Sequence, residues 1–169
     1  LYWMVNPRTY SNITRSAGME YNLKNYVLGN LVEAYLESVL DDRNTKRYIT
    51  RSSMDVKLKH YPEEILEIKA SFETDSLHAQ TVVDILDKSL ENAGGGALDG
   101  QTFTKIQQHL VKDFQHKSKT NKYWQDILET RYMLGKDFHS NYLSTLQNIT
   151  VDEFRAFVAS ILAKGNKVT

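Results

Sequence analysis

Two short runs of strict alternation constrain the fold of this chain more than any other feature. Met54, Val56 and Leu58 alternate with Asp55, Lys57 and Lys59, and then Leu66, Ile68, Ala70 and Phe72 alternate with Glu67, Lys69 and Ser71. A period of two with one apolar and one charged face is the pattern of strands in a sheet that has one wet side. The linking segment KHYPEE (residues 59–64) is short, so the simplest arrangement is an antiparallel hairpin.

Around that hairpin the period changes. From residue 20 to about residue 40, Leu23, Val27, Leu31, Ala34 and Val39 approximate one helical face, widened by Tyr26, Leu28, Tyr35 and Leu36. This predicts a long, mostly buried helix. Residues 1–5 (LYWMV) are apolar β-formers and predict a strand. Residues 6–18 are polar, contain Pro and Gly, and predict a loop. After Thr74 the chain is expected to stay helical. Asp75 or Ser76 is the expected cap of a helix burying Leu77, Val82, Ile85, Leu86 and Leu90, and NAGGGALDG (residues 92–100) ends it. The following helices are expected to bury Phe103, Ile106, Leu110, Val111 and Phe114; then Trp124, Ile127, Leu128 and Met133; then Phe138, Tyr142 and Leu146. A capping box, Thr150-x-x-Glu153, opens the last helix, which buries Phe154, Phe157, Val158, Ile161 and Leu162. KGNKVT leaves it, toward a further strand. Strands segregated from helices make the fold class α+β, an antiparallel sheet with helices packed on one face, in a single domain over 1–169.

The chemistry is defined largely by what is missing. The chain has no cysteine, which excludes thiol catalysis and Cys-type zinc sites. Lys+Arg and Asp+Glu balance at 21 each, so no global field draws the chain to nucleic acid or to an anionic membrane. Lys117, Lys119 and Lys122 lie near Asp113 and Asp126 and read as a solvated helix face. No apolar run approaches the about 18 residues needed to span a bilayer. None of His60, His78, His109, His116 and His139 falls in His-Glu-x-x-His or His-x-x-Glu-His spacing. His109 and His116, seven apart, could share a helix face, but no carboxylate at i±4 is taken to complete a site. No Gly-rich phosphate loop or Gly-x-Ser-x-Gly elbow is present, and the Asn-Ile-Thr sequons at Asn12 and Asn148 read as chance matches.

Residues 116–162 carry a more specific signal. Asn121-Lys-Tyr-Trp124, Gly135-Lys-Asp137 and Ile149-Thr-Val-Asp-Glu153 follow one another in the order and spacing that resemble the pitrilysin/insulinase-type (inverzincin) zinc metallopeptidases, especially their bacterial processive-protease-like members. The first half agrees in the order of its elements. Members of that family resemble clamshells, whose related α+β domains close around an unfolded peptide; one domain holds zinc and the others form chamber walls. The resemblance implies that this chain is most of one inactive, non-metal-binding C-terminal domain, a fragment of a longer chain, with no cofactor of its own and zinc in the parent's other half. It implies sibling peptidase domains and unfolded peptides as partners, and the periplasm or cell envelope as location, with the cytoplasm as alternative. The alternative function is that of a pseudo-peptidase or assembly module acting only by protein binding. An unrelated α+β domain would betray itself by lacking three antiparallel strands under helices.

The same resemblance singles out Tyr48. Active relatives place an Arg and a Tyr at this helix-to-strand turn, where both donate to the scissile carbonyl as it becomes an oxyanion. Tyr48 matches the tyrosine, but seven residues upstream stands Asp41, beside Leu40, and Arg43 and Arg47 are out of register. Tyr48 is therefore either a substrate-carbonyl contact aided by Arg47 or an edge tyrosine packed on the sheet. The acid at the arginine's place favours the second.

Overall fold

The computed structural model describes residues 7–169. The expected strand over residues 1–5 lies outside the described residues. The elements run β1 (Arg8–Gly18), α1 (Leu23–Asp41), α2 (Arg43–Lys46), β2 (Ile49–Lys59), β3 (Ile65–Asp75), α3 (Ala79–Gly94), α4 (Gly100–Lys117), α5 (Asn121–Leu134), α6 (Tyr142–Asn148), α7 (Val151–Lys164) and β4 (Asn166–Val168). The strands form one antiparallel sheet in the order β2-β3-β1-β4. The α+β arrangement expected from the alternating runs is present, with β2 and β3 as its hairpin.

Alternation places the buried side chains. Leu66, Ile68, Ala70 and Phe72 of β3 face the helices, and each is at most 5% exposed. Against them α1 lays Val27, Leu28, Leu31, Val32 and Leu36, all nearly inaccessible. The close approach is fixed at Gly29, where an added Cβ would stand 3.1 Å from the Leu66 side chain. Helices α3 and α7 pack beside α1, and Phe154 of α7 fills the space between Tyr35 and Phe103. The capping box at Thr150 and Glu153 forms as expected. The opposite sheet face carries ion pairs such as Lys59–Glu67 at 2.6 Å and Lys69–Glu67 at 3.0 Å.

Three expectations are corrected. Most of the loop expected over residues 6–18 is a strand instead: Arg8–Gly18 is β1, paired with β3 along its whole length and with β4 at Thr14, Arg15 and Ser16. Its helix-facing positions include Thr9, Ser11 and Arg15, which hides the period of two. Arg15 is tolerated there because Asp87 of α3 accepts its guanidinium at 2.9 Å. Ladders on both sides thus override a weak local preference. Second, Leu77 is 70% exposed because α3 starts only at Ala79, and Asp75 closes the preceding turn by accepting the Leu77 and His78 N–H groups. Third, α5 buries Ile127 alone. Trp124, Leu128 and Met133 are 39%, 44% and 73% exposed, since only one narrow side of α5 touches the body.

Candidate functional site

The turn that carries Tyr48 is built from caps. The Asp42 carboxylate accepts the Asn44 N–H and starts the single-turn helix α2, and Tyr48 follows its end, half-buried. Arg47 donates from Nη2 to the Tyr48 hydroxyl oxygen at 2.6 Å, and its guanidinium carbon lies 4.6 Å from the Tyr48 ring centre. On the ring, His78 stacks at 4.7 Å and 27°. His78 Nδ1 is 2.7 Å from the Asp75 carboxylate, and this hydrogen bond holds Asp75 below the usual carboxylate range. The structure thus brings Arg47, Tyr48, His78 and Asp75 together in one chain of contacts. Asp41 stands apart, 3.5 Å from Lys46. A hydroxyl whose oxygen already accepts from a guanidinium keeps its own proton to offer a carbonyl.

A larger feature runs along α1. Tyr26, Asn30, Glu33 and Glu37, spaced as one helical stripe, form the floor of a groove. One wall is α4, through His109, Leu110, Asp113, Phe114 and Lys117; the other is the edge of β2 from Asp55 to Leu58, unpaired by any strand among the described residues and faced by Asp126, Ile127 and Thr130 of α5. Two cavities of about 260 Å³ each meet at Tyr26 and Asn30. Glu33 Oε2 accepts the Val56 N–H at 3.2 Å, bridging the floor to the sheet edge. Burial pushes the Glu33 and Glu37 carboxyls up. Burial is the largest single influence on the Lys117 ammonium and works to lower it, but the hydrogen bond and charge of Asp113 at 2.7 Å, with the charge of Glu33 and the nearby Tyr26, together raise it.

Aromatic side chains close one end. Asn30 Nδ2 donates to the Tyr142 hydroxyl at 2.9 Å, and Tyr142 stacks on Phe114 at 4.6 Å. Burial pushes the Tyr123 hydroxyl up to about 12, and its oxygen lies in hydrogen-bond contact with His139 Nδ1 at 2.7 Å.

Contrary to the expectation from sequence, a carboxylate does stand one turn from His109: Asp113, which is committed to Lys117. Among the described residues, no three or more histidine, aspartate or glutamate side chains are grouped to hold a metal ion. The polar stripe Tyr26-Asn30-Glu33-Glu37 was itself missed in the sequence, where the apolar face of the same helix drew attention. Its signal was the spacing i, i+4, i+7, i+11 on a helix with a single apolar face. Among the described residues, no helix is long and apolar enough to cross a membrane.

At the level of sequence, no family model and no curated protein matches the chain. Solved structures do. A protease from Helicobacter pylori superposes with a TM-score of 0.72 at 13% identity, over 96% of this chain and 41% of its own. The inactive peptidase domain of a Bordetella parapertussis protein assigned as a zinc protease gives 0.68 at 7% identity, over 98% and 95%. The fold is that of the M16-like peptidase domain. The periplasmic protease PqqL of Escherichia coli contains the same M16-like fold, with a TM-score of 0.69 at 9% identity, over 94% of this chain and 19% of its own. The chain therefore spans about one to two fifths of the Escherichia and Helicobacter proteins and nearly all of the Bordetella domain. At these identities the likeness is one of fold.

Proposed function

We propose that this chain is a non-catalytic domain of a zinc metalloendopeptidase, forming part of the wall that encloses peptide substrates. The observation that carries the reading is the pairing of an M16-like fold with a sheet edge, β2, that is unpaired among the described residues and lies above a concave floor, in a chain without the His-x-x-Glu-His motif. An exposed edge holds an extended peptide by backbone hydrogen bonds. Hydrolysis belongs to zinc in another domain of the parent, and sibling peptidase domains and unfolded peptides are the partners. Tyr48, with Arg47 on its oxygen, contributes a hydrogen bond to a peptide carbonyl at the start of the same strand. The periplasm or cell envelope is the proposed location, in keeping with the Escherichia coli neighbour.

The test is to titrate the 169-residue chain with a labelled unfolded peptide, with and without zinc, and to follow cleavage by mass spectrometry. Binding without cleavage is expected. Cleavage by this chain alone, or no binding, overturns the reading. Added to a metal-bearing sibling half, the chain raises peptide hydrolysis; activity that needs only the other half removes the wall role.

One observation favours a second reading, an assembly module acting only by protein binding. Leu128, Tyr132 and Met133 leave an apolar strip of α5 in solvent. A structure of Complex III2 from Candida albicans contains the same fold, with a TM-score of 0.70 at 10% identity over 91% of this chain and 40% of its own. Stable capture of a folded sibling domain with no affinity for unfolded peptide would favour this reading.

A further inference from the structure

We propose that the groove on α1 selects extended peptide segments carrying arginine or lysine, seated on the free edge of β2 with the cationic side chain over Glu33 and Glu37. The inference rests on the peptide-binding reading above and adds the chemistry of the segment.

The backbone geometry comes first. The Val56 N–H points away from β3, toward Glu33. Alternation puts the backbone groups of Met54 and Leu58 on that same free edge. The side chains of Met54, Val56 and Leu58 turn toward the helices, where they pack on the core. A strand added to this edge continues the pleat, so every second side chain of the peptide also projects over α1. The stripe it meets there is Glu33 and Glu37.

Charge supplies the selection. Around the groove, Asp55 is paired with Lys57 at 3.0 Å, Asp113 with Lys117 at 2.7 Å and Asp126 with Lys122 at 2.8 Å. Among the described residues Glu33 and Glu37 have no cationic partner within ion-pair distance, and both are held in partly desolvated surroundings. The floor thus holds two carboxylates outside any ion pair, on which the Lys117 ammonium acts only at longer range, beside the Tyr26 and Tyr142 side chains. A guanidinium or ammonium gains from the carboxylates. A docked peptide carbonyl would take over the Val56 N–H and release Glu33 to the peptide's cation. An acidic or neutral side chain gains nothing from that exchange.

The experiment uses two labelled unfolded peptides that differ only by a central arginine or glutamine, titrated by fluorescence anisotropy at low salt. Wild-type chain should bind the arginine peptide about tenfold more tightly. In the Glu33→Gln, Glu37→Gln double variant, the two peptides should bind within about twofold of each other. Glutamine keeps the size of the side chain and an acceptor for Val56, and the wild-type comparison needs no variant at all. Equal affinities on the wild-type chain overturn the selection and leave peptide binding standing. A preference that survives the double variant overturns the placement, and failure to bind either peptide overturns both readings.

Discussion

The Glu33 carboxylate accepts the Val56 N–H at 3.2 Å, which joins the long first helix to the rim of the sheet. It is a partly buried acid bonded to a backbone donor, with burial as the larger influence on its titration. Because burial raises its pKa in the folded state, the native protein binds more protons than the unfolded chain just above the ordinary glutamate range. Stability contributed by this group is present at low pH and lost as pH rises through the folded value. Glu33→Gln should therefore raise the urea midpoint at pH 7. The difference from wild type should vanish as pH falls below about 4.3. A variant destabilised at neutral pH would refute this.

Asp137 has the opposite sign. Its carboxylate accepts the Ser140 hydroxyl at 2.6 Å and the Ser140 and His139 N–H groups at 3.0 and 2.9 Å, and these bonds lower it to about 2. Its contribution is complete above the ordinary aspartate value and is lost as pH falls toward the folded one. Carboxyl-detected NMR should find the Asp137 midpoint near 2. A midpoint in the ordinary range would show that the turn before α6 is open.

Phe154 is fully buried between Tyr35 and Phe103. Phe154→Ala should cost about 3–5 kcal/mol in equilibrium unfolding, the sum of lost transfer energy and the cavity left behind. A loss below about 1 kcal/mol would mean that α7 repacks freely.

Thr150 caps α7 with its hydroxyl on the Glu153 N–H at 3.2 Å, while Glu153 returns a carboxylate to the Thr150 N–H at 3.0 Å. Thr150→Ala removes one half of that exchange and should cost about 1 kcal/mol. Guanidinium titration of wild type and variant measures it directly.

On α5, Tyr132 and Met133 are 84% and 73% exposed. Replacing both by glutamate should leave the unfolding free energy within about 0.5 kcal/mol. Capture of a sibling domain, if it uses this face, should fall sharply in the same variant. A large loss of stability would place these side chains in a folded contact instead.

The sequence made β2 and β3 legible because their apolar residues repeat every second position on one wet-sided sheet. It made α1, α3, α4 and α7 legible because each has one apolar stripe, and α7 its capping box. β1 was hidden by Arg15, whose inward position makes sense only with Asp87 brought from α3, 72 residues away. α5 misled for the converse reason. Its apolar residues lie around the whole helix, and periodicity cannot tell a core contact from a face left in water. Tyr48 could be located from a motif, but its stacking on His78 joins residues from two sides of the hairpin. The groove needed α1, α4 and β2 together, so only the spacing of its floor was visible in advance.

Asp87 accepts Arg15 at 2.9 Å and also binds Lys167 of the three-residue strand β4. Burial works to raise its carboxyl, but those two cations outweigh it and lower it. The outermost ribbon of the sheet is thus moored to α3 by charge, while its own side chains remain in water. Acid strong enough to neutralise that one carboxylate would loosen this margin and at the same stroke strip the inward-facing Arg15 of its counter-charge.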